Sequence, residues 1–256
     1  MKKKQKGGFS MAATVTMIAS GKGGTGKSTV AVFLAGQLAA AGRPTLLVEL
    51  DSGLRSVDII SGVYGRTVYD IEDVLSGACE GSKAVVKSPF ADGLSIISAP
   101  VSGGMVQTAA LQHFCSRMKP FFEEIVIDTA AGLEAPFQAA AAASDRAVLV
   151  INPDPVCVRD GRVVSDLLYD GGLTQQRLVI NRLQPERLRR FGIPDLDWCI
   201  DQVAVRLLGV VPESDAIALC GATGAPLPAA SREAEIFRRM ARRLNGDECP
   251  LVIGNR

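Results

Sequence analysis

A glycine-rich stretch near the start of the chain constrains its fold more than any other feature. It runs from Ser20 to Thr29 and has the sequence SGKGGTGKST. An apolar run over 15–19 precedes it and an alanine-rich run over 30–41 follows it, which predicts a buried strand, a loop and a helix. From Gly21 the spacing is G-x-x-x-x-G-K-S. In this context the spacing predicts a loop that binds nucleotide phosphates, the P-loop.

Each residue type in the loop has a physical reason to bind phosphate. Glycines allow a tight turn that brings backbone N–H groups up to phosphate oxygens, and the following helix adds the positive end of its dipole. Lys27 is then placed to contact the β- and γ-phosphates, and the Ser28 hydroxyl to ligate Mg²⁺. The predicted nucleotide-binding residues of the loop are Gly21, Lys22, Gly23, Gly24, Thr25, Gly26, Lys27, Ser28 and Thr29.

Alternating strand-like and helical patterns favour an α/β fold. The 256 residues are 47% hydrophobic and 21% charged, which is sufficient for one large buried core. The alternation predicts a mostly parallel, twisted sheet of about seven or eight strands with helices on both faces. The predicted strands cover 15–19, 45–50, 94–99, 124–128, 147–152, 177–180 and 208–211. The predicted helices cover 28–41, 68–76, 104–118, 135–143, 159–169 and 231–244.

The chain shows no internal repeat and no linker-like composition that would divide it. We therefore expect a single P-loop NTPase domain over 13–246. Residues 1–12 predict a disordered basic leader, whether or not it belongs to the natural chain, and 247–256 a short tail. The arginine-rich segment 182–191 interrupts the alternation and is interpreted as a surface excursion.

Charge and cysteine content exclude several classes of protein. A net charge of +1 gives no overall attraction to nucleic acid or to an anionic membrane. Six scattered cysteines and a single histidine argue against a zinc site or a disulfide framework and suit a reducing cytosol. No apolar run reaches the roughly 18 residues that a spanning helix needs, and no secretory signal is evident. We expect a cytoplasmic protein, with the inner face of the cell membrane as a peripheral alternative.

Carboxylates that follow two predicted strands are candidates to complete a nucleotide site. In the run EIVIDTAAG, three apolar residues lead to Asp128 and small residues follow, which predicts the Walker B carboxylate of the Mg²⁺ shell. The run LLVELD carries Glu49 and Asp51 at i and i+2, so their side chains are expected on the same side of a strand.

The second lysine of the loop, Lys22, goes beyond the generic motif. The string KGGTGKST resembles the deviant Walker A motif of the MinD/ParA family of ATPases. In that family the early lysine crosses a dimer interface to contact the partner's nucleotide. The resemblance therefore implies an ATP-dependent homodimer that uses ATP and Mg²⁺, with slow hydrolysis stimulated by a partner protein.

The resemblance also assigns roles to individual residues. It implies that Lys22, Lys27 and Asp51 are catalytic, with Asp51 positioning the attacking water, and that Ser28, Asp51 and Asp128 surround the metal. Glu49 stands where the family more often carries aspartate, and we assign it a supporting role.

Later motifs extend the resemblance over nearly the whole chain, from about residue 14 to about residue 244. The stretch NPDPVCVRD at 152–160 is similar to a family motif after the fifth strand, where Arg159 and Asp160 would otherwise predict an ordinary helix start. The strings LRSVD at 54–58 and VRD at 158–160 favour the MinD branch. The adenine-contacting residues implied are Asn181, Arg182, Pro212 and Glu213.

Three functions remain open on the residues. The first is a MinD-type switch in the spatial regulation of cell division or protein positioning, with a regulatory partner of the MinE or MinC kind. The usual basic membrane-binding helix at the C-terminus is not evident, because the apolar stripe of 233–244 favours packing on the domain. The second is a ParA-like DNA-partition or cargo-positioning ATPase, whose candidate DNA-contacting residues are Arg187, Arg189, Arg190 and the arginines of the last helix. The third and weakest is a P-loop metabolic ligase.

Overall fold

Eight strands form one sheet in the computed structural model, which describes residues 13–53, 55–101 and 106–252. The strands are β1 Thr14–Ala19, β2 Thr45–Glu49, β3 Val86–Lys87, β4 Leu94–Ile97, β5 Glu124–Asp128, β6 Arg146–Ile151, β7 Gln176–Leu183 and β8 Leu207–Pro212. Their order is β3-β4-β2-β5-β1-β6-β7-β8, and all pairs are parallel except β3 with β4. The predicted mostly parallel sheet is confirmed.

Helices cover both faces of the sheet, as predicted. They are α1 Lys27–Ala40, α2 Ser56–Ile60, α3 Ile71–Leu75, α4 Gly81–Ala84, α5 Thr108–Met118, α6 Ala135–Ala143, α7 Pro155–Asp170, α8 Pro185–Arg190, α9 Leu196–Val203, α10 Asp215–Thr223 and α11 Arg232–Leu244. One buried cluster joins the sheet to α5, α6, α7 and α9, and another joins it to α1 and α11. The central strands are buried on both sides, which explains their continuous apolar runs.

The predicted helix boundaries were wrong where a capping residue was overlooked. The helix expected at 159–169 begins at Pro155, because the Asp154 carboxylate accepts hydrogen bonds from the N–H groups of Val156 and Cys157. Arg159 and Asp160 therefore lie in the second turn rather than at the helix start. The helix expected at 68–76 begins at Ile71, since Asp70 forms a capping box with Asp73.

Several short elements had no predicted counterpart. They are α2, α4, α9, α10 and the two-residue strand β3. Of these, α2, α4 and β3 have at most five residues, which is too few to show a periodic pattern. The predicted surface excursion at 182–191 contains the short helix α8, which has no buried residue. The expected leader at 1–12, Leu54 of the LRSVD string and the start of the helix expected at 104–118 lie outside the described residues.

The last helix packs on the domain, as its apolar stripe predicted. Ile236, Phe237, Met240 and Leu244 of α11 are all buried against the sheet and α1. The tail folds back on this helix: Arg239 donates to the Pro250 carbonyl and Arg242 to the Asp247 carboxylate. Within the described part of the chain, no helix combines the length and apolar character needed to cross a bilayer.

Candidate functional site

The glycine-rich loop leaves the carboxyl end of β1, a central strand, and enters α1 at Lys27. The carboxyl edge of a parallel sheet beside its central strands is where ligands bind in α/β folds. Gly26 caps the helix with φ 86°, and a Cβ at this position would lie 2.3 Å from Asn181 Nδ2, so only glycine fits. The loop therefore presents the N-terminus of α1 to this edge, as the motif predicted.

Lys27 and Asp128 form a buried ion pair at the centre of the site. Lys27 Nζ lies 3.0 Å from Asp128 Oδ1 and 3.9 Å from Asp51 Oδ2. Burial raises the pKa of the Asp128 carboxyl, while Lys27 and the Ser28 hydroxyl oppose that rise. Asp51 is different, because its side chain is 40% exposed. Three of the predicted residues thus converge where β1, β2 and β5 end.

Glu49 lies beside Asp128 on the neighbouring strand, but its side chain makes different contacts. The side chain is fully buried, with Oε1 accepting from the Val57 N–H at 3.0 Å and Oε2 from the Ala99 N–H at 3.3 Å. Burial raises the pKa of Glu49 to about 8. The strand β2 ends at Glu49, so the alternation expected to align Glu49 with Asp51 does not extend that far. Through these two hydrogen bonds Glu49 joins β2 to α2 and to the segment that follows β4.

Two neighbouring cavities accompany the loop. The first has a volume of about 430 Å³ and is lined by the P-loop from Lys22 to Thr29, together with Ser20, Asp51, Ser56, Ile60, Ala131 and Arg182. The second, of about 190 Å³, is lined by Gly26, Thr29, Asn181, Arg182, Pro212, Glu213 and seven further residues. Arg182 contributes to both cavities. The four residues proposed to contact adenine are thus brought together beside the phosphate loop.

Asn181 is tied directly to that loop. Its Nδ2 donates to the Thr25 carbonyl at 2.7 Å, and the side chain is buried. This hydrogen bond fixes the position of β7 relative to the P-loop. Recognition of adenine by Asn181 stays a prediction.

Lys22 lies at the exposed rim of the phosphate cavity. Within the described residues it has no carboxylate within ion-pairing distance. On the neighbouring side of the loop, a Cβ added to Gly21 would lie 2.8 Å from the backbone and side chain of Asp160. The loop therefore rests on α7, and this contact explains why glycine is required at position 21.

Nucleotide and Mg²⁺ fit the polar groups that the structure leaves at this site. Asp128 Oδ2 and Thr25 Oγ1 are buried and have no hydrogen-bond partner among the described residues, whereas buried polar groups are normally satisfied. A carboxylate oxygen and hydroxyls are the ligands that Mg²⁺ prefers. Ser28, Asp51 and Asp128 are therefore suited to hold the metal shell, and the P-loop backbone to hold phosphates.

Several residues of the site carry no motif that predicts their role. Ser56, Ile60 and Ala131 line the phosphate cavity, and Ser214 and Ile217 line the smaller one. Their only local signal is the position of Ser56 and Ser214 at helix starts. Contact of Ile60 and Ala131 with the cavity depends on packing that no local pattern reveals.

Comparison with known proteins agrees with this geometry. Residues 16–227 match the model of the CobQ/CobB/MinD/ParA nucleotide binding domain. The septum site-determining protein MinD of Bacillus subtilis is 31% identical over 243 residues, which cover 93% of this chain and 91% of that protein.

Solved structures of MinD proteins superpose over nearly the whole chain. MinD in the MinC:MinD cell division complex of Aquifex aeolicus has a TM-score of 0.87 at 30% identity, covering 95% of this chain and all of that one. MinD of Pyrococcus horikoshii, complexed with Mg-ADP, has a TM-score of 0.82 at 28% identity, covering 91% of this chain and 96% of that one. The chain therefore belongs to the CobQ/CobB/MinD/ParA family of P-loop nucleotide-binding proteins, whose members include MinD.

Proposed function

We propose that this protein is an ATP-hydrolysing switch of the MinD type, which dimerises when it binds ATP and acts in the spatial regulation of cell division or protein positioning. The observation that carries the proposal is Lys22, an exposed lysine on the rim of the phosphate cavity that has no carboxylate partner in the part of the chain that the structure describes. Its own loop already supplies Lys27 for the bound phosphates. A second, outward-facing cation is suited to the nucleotide of a partner subunit.

The roles within one subunit follow from burial and position. Lys27 is buried beside Asp128, so phosphate must compete with this carboxylate for the ammonium group. Asp51, which is more exposed and 3.9 Å from Lys27, is placed to orient a water molecule. Bound Mg²⁺ would neutralise charge on the phosphates, held by Ser28, Asp51 and Asp128. Because such chemistry is mainly positioning, slow hydrolysis raised by a partner is the expected regime.

Adenine recognition is proposed for the smaller cavity. The Asn181 side chain offers both a donor and an acceptor, which matches the edge of adenine. Arg182, Pro212 and Glu213 enclose the same space. A regulatory partner of the MinC or MinE kind is proposed because an Aquifex aeolicus relative was solved with MinC.

The oligomeric state provides the test. Size-exclusion chromatography with light scattering is expected to show a doubling of mass with ATP and Mg²⁺ but not with ADP. Lys22→Ala should abolish this doubling and lower hydrolysis while ATP still binds. Lys83→Ala, which removes an exposed lysine on α4, is the matched control. Unchanged dimerisation and hydrolysis in Lys22→Ala would show that the proposed role of Lys22 is wrong.

The ATP form then separates the remaining functions. Pelleting with anionic vesicles supports a membrane-associated MinD-type switch, whereas a salt-sensitive shift of duplex DNA supports a ParA-like role. Formation of a ligated product without dimerisation would support the metabolic alternative.

A further inference from the structure

A second charged cavity lies at the amino end of the sheet, opposite the P-loop. It has a volume of about 460 Å³ and is bounded by the starts of β7 and β8, the end of α11 and the tail at 246–250. Three of its lining residues are arginines: Arg177, Arg206 and Arg243. None of the predicted nucleotide-site residues contributes to this cavity.

The arrangement of the arginines is electrostatically unfavourable in the protein alone. Leu178 of β7 pairs with Leu207 of β8, so Arg177 and Arg206 occupy adjacent positions on neighbouring strands. Like charges opposite each other on neighbouring strands are destabilising. Burial, followed by the charges of Arg206 and Arg243, lowers the pKa of Arg177.

Two carboxylates, Asp247 and Glu248, also line the cavity, but neither forms an ion pair with its three arginines. Among the described residues no carboxylate lies within 4.0 Å of the three guanidinium groups, and Asp247 accepts instead from Arg242 at 2.9 Å. Arg243 donates to the carbonyls of Leu207 and Cys249, but its buried Nε has no hydrogen-bond partner among the residues that the structure describes. A buried N–H donor without a partner is costly and uncommon in folded proteins.

We propose that the cavity formed by Arg177, Arg206 and Arg243 binds a phosphate group. Planar guanidinium groups match the oxygens of phosphate and bind it more strongly than neutral donors do. The cavity volume falls in the range of small-molecule sites. The phosphate group belongs either to a soluble phosphorylated molecule or to a lipid headgroup, since the same chemistry recognises both.

The test uses inorganic pyrophosphate, with the P-loop saturated by ADP and the free Mg²⁺ concentration held constant. Calorimetry is expected to show pyrophosphate binding that does not displace a fluorescent ADP analogue. Arg206→Gln, at an exposed position, should weaken this binding by about tenfold or more. Arg117→Gln on α5, which also removes one exposed arginine, should leave it unchanged.

Melting temperature gives an independent readout. Pyrophosphate should raise the melting temperature of the parent and of Arg117→Gln, but not that of Arg206→Gln. In chloride buffer Arg206→Gln should melt at or above the temperature of the parent, because one repulsive charge is gone. The direction of this change in melting temperature distinguishes a binding role of Arg206 from a structural one.

A second arm distinguishes the source of the phosphate. Vesicles containing phosphatidylglycerol are used in place of pyrophosphate, again with ADP bound. Vesicle binding that is lost in Arg206→Gln, without pyrophosphate binding, would assign the site to a lipid headgroup. The proposal is overturned if neither probe binds, or if Arg206→Gln and Arg117→Gln bind the probes equally well.

Discussion

The strand β5 carries a fully buried carboxylate at each end, and the two are satisfied in opposite ways. At the amino end, Glu124 Oε1 accepts from Arg43 and Oε2 from Arg146, each at 2.9–3.0 Å. At the carboxyl end, Asp128 Oδ1 contacts Lys27 and Oδ2 has no partner among the described residues. At the amino end of β5 both carboxylate oxygens are therefore hydrogen-bonded, whereas at the carboxyl end one oxygen is left unpaired.

The difference indicates what each end is for. Arg146 of β6 also donates to Thr16 of β1 and to the last carbonyl of α11, so the Glu124 network joins β5 to three further elements and leaves neither carboxylate oxygen free. Buried polar networks in which every group is hydrogen-bonded make a core rigid and specify a single structure. An unpaired oxygen in an equally dry position is suited to a ligand instead. Stability and binding are thus separated along five residues of one strand.

Removing Glu124 is expected to have the largest effect on stability. Glu124→Ala leaves Arg43 and Arg146 with reduced compensation at largely buried positions, and loss of one partner of a buried pair costs about 3–5 kcal/mol. Urea unfolding measures this loss, and ADP affinity should stay unchanged. Glu123→Ala, which removes a half-exposed partner of the same Arg43, should cost only about 0–1 kcal/mol. Equal losses in the two variants would contradict the comparison.

Asp128→Asn is expected to lower nucleotide affinity, in contrast to Glu124→Ala, which is expected to lower stability. The substitution keeps the shape but removes the charge facing Lys27, and loss of a metal-supporting carboxylate typically lowers metal affinity by about 10–100-fold. The measurement is ADP affinity with Mg²⁺ and with chelator, where only the Mg²⁺-dependent part should decrease. Asp92→Asn, in an exposed loop, is the control. An equal loss with and without Mg²⁺ would argue against a metal role.

Glu49→Gln is expected to change how stability depends on pH. Because the folded pKa of Glu49 is about 8 and the reference value is 4.5, the unfolded chain gives up this proton at lower pH. The stability contributed by the protonated form is complete below pH 4.5 and is lost as pH rises towards 8. In chelator, the parent should therefore lose stability over this window relative to Glu49→Gln, by at most about 1.4 kcal/mol per pH unit. Parallel stability curves for the two proteins would refute the shift.

Local sequence was sufficient to predict the site residues that directly follow a strand or begin a helix. A strand, a glycine-rich loop and a helix determine where Lys27 and Ser28 lie, and the apolar strand that ends at Asp128 brings this carboxylate to the same edge. The contact between Gly21 and Asp160 and the two acceptors of Glu49 join residues far apart in sequence. Such contacts depend on tertiary packing, which no pattern within one segment encodes.

The arginine cavity is also a tertiary feature that local sequence does not predict. Arg177, Arg206 and Arg243 are isolated basic residues in sequence, and their convergence depends on the register of β7 with β8 and on the return of α11 to that edge. Only their separate positions could be stated before the fold was known.

The antiparallel strand β3 affects how copies of the molecule can meet. It is two residues long and carries the exposed Lys87, and it ends the sheet on one side. Short, charged edge strands discourage another chain from extending a sheet. Aggregation by strand addition is therefore disfavoured at this edge of the sheet.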